Sequence, residues 1–196
     1  KKRRRVGGCW WRMSPHVILN DVTTKNGEIP ELGRDAAKIE TLQIHPSSDI
    51  NRIPEVAFKR WTKLQSIDVQ DGVTLTSIGY EAFFECRSLK FFDIPDTVTS
   101  IDRRAFFGCS TLTSIEIPDG VTTIKRGTFC GCTSLTSIAI PNSVVTIEES
   151  AFYGCTFLTS IVISDVVKTI QERTFQNCDS LESIEIPYGL TSIGEG

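Results

Sequence analysis

Histidine is nearly absent: His16 and His45 are the only two among 196 residues. Imidazole-based triads, many zinc sites and most general-base mechanisms therefore have almost nothing to work with. No G-x-S-x-G, P-loop, H-E-x-x-H or G-x-G-x-x-G motif occurs. The many serines have no imidazole beside them to activate a hydroxyl. His45 falls at the end of the first expected strand of the body and reads as a rim residue, and the carboxylate pair Glu148-Glu149 reads as solvated. The chain reads as non-enzymatic, with no cofactor and no metal. Long apolar runs are missing too, since nothing approaches the ~20 residues that span a bilayer. No purely aliphatic run is longer than Val17–Leu19, which falls short of the ~7–15 residues of a secretory h-region. There is no N-x-S/T sequon.

Net positive charge is also lacking outside one short stretch. The chain carries −3, and residues 1–5 (KKRRR) contribute +5, which leaves −8 on the remainder. An acidic body argues against nucleic acid as a ligand of that body, because phosphate neutralisation needs a basic surface. KKRRRV resembles a nuclear-import signal, although a solvated basic tail is the plainer reading and outweighs it. Residues 1–13, with Trp10 and Trp11 among glycines, form a basic head.

What the sequence has in abundance is itself. Cys109–Gly131 recurs at Cys86–Gly108, Cys132–Gly154 and Cys155–Asn177; 25-residue versions precede them at Ala36–Arg60 and Trp61–Glu85, and a cut-off copy runs from Cys178 to Gly196. A fixed period of this length means a solenoid. The copies share C-x-x-L-x-x-I-x-I-P-x-x-V-x-x-I-x-x-x-A/T-F-x-G. Within it, I-x-I alternates with polar residues, the period-2 signature of a strand with one buried face. One parallel ladder is predicted over Leu42–Ile44, Ile67–Val69, Phe92–Ile94, Ile115–Ile117, Ile138–Ile140, Ile161–Ile163 and Ile184–Ile186. Proline then ends the strand, and V-x-x-I predicts a second, shorter extended segment followed by a helical turn. Six of the eleven Phe share one column (Phe58, Phe83, Phe106, Phe129, Phe152, Phe175) and predict a stacked spine. Gly108, Gly131, Gly154 and Asn177 mark positions requiring φ > 0. The two-residue insertions of the early copies predict bulges around Pro46–Asp49 and Gln70–Leu75. Residues 14–35, with a strand at Val17–Thr23 and an Asn26-Gly27 turn, are expected to cap the array. The last copy stops before its Phe column, which reads as truncation and leaves an edge open to edge-to-edge association.

Five of seven cysteines (Cys86, Cys109, Cys132, Cys155, Cys178) fill one column that Trp61 and Ala36 occupy elsewhere. A position accepting Cys, Trp or Ala wants a buried apolar filler. Coils stacked at ~4.8 Å with parallel side chains hold Cβ atoms nearer ~5 Å than the ~3.8 Å a disulfide prefers. A reduced ladder outweighs occasional disulfides or a metal site, and Cys9 and Cys130 are expected to be the accessible thiols.

These copies resemble the BspA-like leucine-rich repeats of the 23-residue class, over residues 36–196. Departures are the 25-residue copies, Thr128 and Thr174 in the Ala column, and Ser164 in the Pro column. The resemblance implies a β-rich, curved right-handed solenoid with a concave parallel sheet and with short extended segments and helical turns on its convex side. It also implies protein binding without catalytic residues. Some members are surface adhesins, which makes a cell-surface recognition domain the alternative to an intracellular interaction scaffold. The free-looking thiols and missing sequon favour the intracellular, conceivably nuclear, reading.

Strand alternation sends two columns outward. One reads Thr41, Ser66, Phe91, Ser114, Ser137, Ser160, Ser183; the other reads Gln43, Asp68, Asp93, Glu116, Ala139, Val162, Glu185. A solvated face would need only the hydroxyls and acids. The sharper reading makes Phe91 an anchor, with Asp68, Asp93 and Glu116 selecting a basic protein partner and Ala139, Val162 and Glu185 completing the surface.

Overall fold

In a computed structural model, residues 16–19, 39–46 and 50–195 are described. The basic head with Cys9, residues 14–15 and 20–35 of the expected cap, residues 36–38 of the first copy with Ala36, and the 47–49 part of the first insertion lie outside them. Each copy contributes two short strands to two columns of parallel pairing. The first column begins with β1 (His16–Leu19), β2 (Thr41–Ile44), β4 (Ser66–Val69) and β6 (Phe91–Phe92), in that order. It resumes with β9 (Ser137–Ala139) and β11 (Ser160–Val162). The second column holds β3 (Arg52–Ile53), β5 (Ser77–Ile78) and β7 (Ser100–Ile101), then β8 (Thr123–Ile124), β10 (Thr146–Ile147), β12 (Thr169–Ile170) and β13 (Ser192–Ile193). Register is in phase with the repeat, as in Leu42↔Ile67, Ile67↔Phe92 and Ile138↔Ile161.

The predicted single ladder of seven strands is interrupted. Ile115–Ile117 keeps its inward side chains buried, but the segment is tied to its neighbours by Thr113 N–H to Lys90 O at 3.1 Å and Thr136 N–H to Thr113 O at 3.3 Å. One bond on either side is too little for a ladder. The second column breaks on one side of the same coil only, between β7 and β8, while β8 pairs onward with β10. Ile184–Ile186 also lacks strand pairing. In the last coil Ile186 and Ile193 are 54% and 62% exposed, against 9% and 3% for Ile163 and Ile170 one coil earlier, because no described coil covers them.

The return path differs from the helical turn expected. It is a chain of reverse turns, and no helix occurs among the described residues. Alternate N–H groups close turns within the coil, as in Ala82 to Gly79 O and Phe84 to Glu81 O. The intervening ones reach the next coil, as in Glu81 to Arg103 O, Phe83 to Ala105 O and Glu85 to Phe107 O. Two columns must adopt φ > 0 to do this. One is the predicted column, with Gly108, Gly131, Gly154 and Asn177 at 70, 71, 70 and 61°. The other was not foreseen: Val56, Glu81, Arg104, Gly127, Ser150 and Arg173, at 50 to 63°. Gly127 is its only residue free of the left-handed penalty. The second insertion, Gln70–Leu75, forms a turn closed by Val73 N–H to Gln70 O, with Gly72 at φ 90° and Leu75 fully buried.

The core runs continuously between strands and turns. Phe58, Phe83, Phe106, Phe129, Phe152 and Phe175 stack at 5.2 to 5.8 Å between successive rings, all within 13° of parallel. The periodic cysteines are free and buried, as expected. They do more than fill space, because each thiol donates to the carbonyl of a Phe one coil earlier: Cys86 to Phe58, Cys109 to Phe83, Cys132 to Phe106, Cys155 to Phe129 and Cys178 to Phe152. The departures from the repeat are satisfied locally. Thr128 and Thr174 donate to Lys125 O and Gln171 O, and Ser164 donates to Asn142 Oδ1.

Candidate interaction surface

Burial of one strand face forces the other outward. Phe92 is 2% exposed and packs edge-on against Phe83 at 5.5 Å. Period 2 therefore turns Phe91 out, and it is 55% exposed beside Ser66, its register partner. Asp68, Asp93, Glu116, Ala139 and Glu185 are exposed in the adjoining column, and Val162, paired with Ala139, is 68% exposed. The column thus runs acidic through Glu116, apolar at Ala139 and Val162, and acidic again at Glu185. All seven residues singled out from the sequence lie on this outer face, although the ladder break separates Phe91 from Ala139 and Val162.

The acids differ in their surroundings. Asp68 accepts from Gln43 Nε2 at 3.1 Å and Gln70 Nε2 at 2.6 Å. Among the described residues, Asp93, Glu116 and Glu185 make no ion pair. The described ion pairs all lie on the turn side instead: Glu81 with Lys59 and Arg104, Glu85 with Arg60 and Arg87, Asp102 with Lys125, and Glu149 with Arg126. Burial pushes the Glu81 carboxyl up, but hydrogen bonds from Lys59, Tyr80 and Arg104 outweigh it and hold it below the usual carboxylate range. The described ion pairs thus gather on the turn side, and none lies on the strand face.

Cys130 departs from expectation. It is 9% exposed rather than accessible, because the turn tract lays its side chain between half-buried neighbours, and burial raises its thiol pKa. Among the described residues no group of three or more His, Cys, Asp or Glu could hold a metal ion. No described helix is long and apolar enough to cross a membrane. His45 is exposed just beyond β2. The feature that sequence reading missed is the distribution of ion pairs, for which the only signal was that Lys and Arg cluster in the turn tracts of the early and middle copies.

Repeat, strand columns and aromatic spine together define a leucine-rich-repeat solenoid. The profile of the BspA type leucine rich repeat region matches residues 31–113 and 99–196, in six copies, so the chain belongs to the BspA-type leucine-rich repeat family. Members of such repeat families commonly serve as scaffolds for protein interaction or adhesion. Among solved structures it is similar to the leucine-rich repeat protein of T. pallidum (26% identity, TM-score 0.72, covering 79% of this chain and 73% of that one). It is also similar to leucine-rich repeat proteins of Eubacterium ventriosum (27%, 0.69) and Bacteroides ovatus (27%, 0.65), covering 79% and 80% of this chain. It spans 41% and 45% of the length of those two. No match is found among curated proteins.

Proposed function

We propose that this chain is a non-catalytic interaction module that binds a protein partner through the outer face of its first strand column. Phe91 is the anchor, and Asp68, Asp93 and Glu116 steer a basic segment of the partner. The observation that carries the reading is Phe91 itself: a ring 55% exposed on a strand face where other copies place Ser or Thr. No requirement of the core explains it, since Phe92 already fills the inward position. Desolvating such a ring in a partner's pocket contributes about 2 kcal/mol or more. These acids act mainly on association rate and its salt dependence. Ala139 and Val162 extend the surface with an apolar patch, and Glu185 closes it.

The test is a binding measurement on a partner isolated by pull-down. Phe91→Ser is expected to weaken affinity about 30-fold, the equivalent of ~2 kcal/mol. Asp93→Lys is expected to slow association and flatten its salt dependence. Unchanged affinity in Phe91→Ser, with binding abolished by deleting residues 1–5, would assign recognition to the basic head instead.

A further inference from the structure

On the turn side, one column carries half-buried Phe84 and Phe107, buried Cys130 and half-buried Tyr153 in successive coils. Phe84 and Phe107 stack at 4.8 Å and 6°. The stack stops at Cys130, whose short side chain leaves the next ring position empty before Tyr153. Core rings in the same coils step 5.7 Å from Phe106 to Phe129 and 5.5 Å from Phe129 to Phe152. Phe107 and Tyr153 therefore stand about two such steps apart, which is the room one planar ring needs to stack on both at the ~4.5–7 Å centroid distances that aromatic pairs prefer.

The vacancy is a formed notch. Phe107, Cys130, Tyr153 and Gly127 line a cavity of about 300 Å³. Gly127 supplies backbone where the other copies carry a side chain: a Cβ there would press on Arg104 Cγ at 3.3 Å and lie 3.8 Å from Cys130 Cβ and 4.0 Å from Phe107 Cδ2. Tyr153 is held by Asn177 Nδ2, which donates to its hydroxyl at 2.9 Å. Arg104 lies over the Phe107 ring at 5.9 Å. Two further arginines reach the cavity. Arg126 is paired with Glu149 at 3.0 Å, whereas the guanidinium of Arg173 makes no ion pair among the described residues. The notch thus offers two aromatic walls and one uncommitted positive charge at the rim.

We propose that this notch binds a small planar aromatic carboxylate, its ring inserted between Phe107 and Tyr153 over Cys130 and its anion facing Arg173. The site is separate from the strand face and stands whether or not that face binds a protein.

The probes are N-acetyltryptophan and its neutral amide, titrated by calorimetry and by saturation-transfer NMR. The wild-type chain should bind the acid saturably below about 10 mM, the weak end of measurable affinity. Arg173→Gln should weaken the acid about two- to fivefold, the worth of an exposed ion pair, and leave the amide unchanged. Cys130→Phe restores the ring the column already uses at Phe84 and Phe107, so it should keep the melting temperature and lose about tenfold or more in affinity for both probes. Tyr153→Gln, which copies Gln176 of the same column, removes one wall and should lose a similar factor without any added bulk. No saturable binding to the wild type, or wild-type affinity in either Cys130→Phe or Tyr153→Gln, would overturn the proposal.

Discussion

The thiol of Cys109 donates to the carbonyl oxygen of Phe83, 26 residues earlier, at 3.2 Å. That oxygen also accepts the N–H of Cys86 at 3.1 Å, so both of its lone pairs are used. The same arrangement recurs up the array, and it gives cysteine a role in this column that alanine could not fill. Cys109→Ala should cost about 1–3 kcal/mol, from the lost bond and the small void, measured by denaturant unfolding.

The ladder also has an alkaline signature. Burial pushes the Cys86 thiol up to about 12 and the Cys178 thiol to about 11. A raised thiol pKa means that the folded state holds its proton more tightly than the unfolded chain. The stabilisation is therefore complete below the unfolded value of 9 and is lost as pH rises toward the folded values. Melting temperature should fall between pH 9 and 12, and less steeply in Cys86→Ala. In the native state at pH 8 the five periodic cysteines should resist a thiol reagent and react on unfolding.

The second left-handed column carries a backbone prediction. Val56 sits at φ 53°, where an L side chain costs about 1–2 kcal/mol and a β-branched one is least at ease. Val56→Gly should stabilise the fold by roughly 0.5–1 kcal/mol, while Gly131→Ala should destabilise it by about 1 kcal/mol. A Cβ at Gly131 meets Gly108 Cα at 3.6 Å, an ordinary contact, so that loss would come from the backbone alone. Chemical denaturation of both variants decides the matter.

This column shows where sequence reading stopped. Columns of Leu, Ile and Phe were legible because every coil must bury the same face, and Gly108, Gly131 and Gly154 announced their own conformation. Val56, Glu81, Arg104, Ser150 and Arg173 announced nothing. Their φ > 0 is imposed by N–H groups that must reach the next coil's carbonyls, a demand that leaves no mark on side-chain chemistry. Cys130 was misplaced because it lies outside the periodic cysteine column, yet it is buried all the same. The outward turn of Phe91 followed from Phe92. The interruption at Ile115–Ile117 did not, because that copy is the most regular in the sequence and its side-chain pattern is unbroken.

Glu81 makes the turn side sensitive to acid. Its lowered pKa contributes stability that is present above the unfolded value of 4.5 and lost as pH falls through the folded one. Glu81→Gln should lower stability by roughly 1–3 kcal/mol at neutral pH, as expected for hydrogen bonds to a charged group. The gap to wild type should close as pH drops below 4.5. A gap independent of pH would show that packing, not charge, is what Glu81 supplies.

Core dependence is testable at Ile124, 3% exposed in β8. Ile124→Ala should cost about 2–5 kcal/mol through lost transfer energy and a residual cavity, and a loss under ~0.5 kcal/mol would place this column outside the core.

Recognition through the strand face is tested most directly by hydroxyl-radical footprinting of the chain, free and saturated with its protein partner. Phe91 at 55% exposure and Tyr188 at 99% should both oxidise readily in the free state, and Tyr188 lies in the turn after Pro187, away from the proposed anchor. The account predicts that oxidation of Phe91 falls several-fold in the complex while that of Tyr188 holds. Oxidation of Phe91 at its free rate in the saturated complex would contradict it.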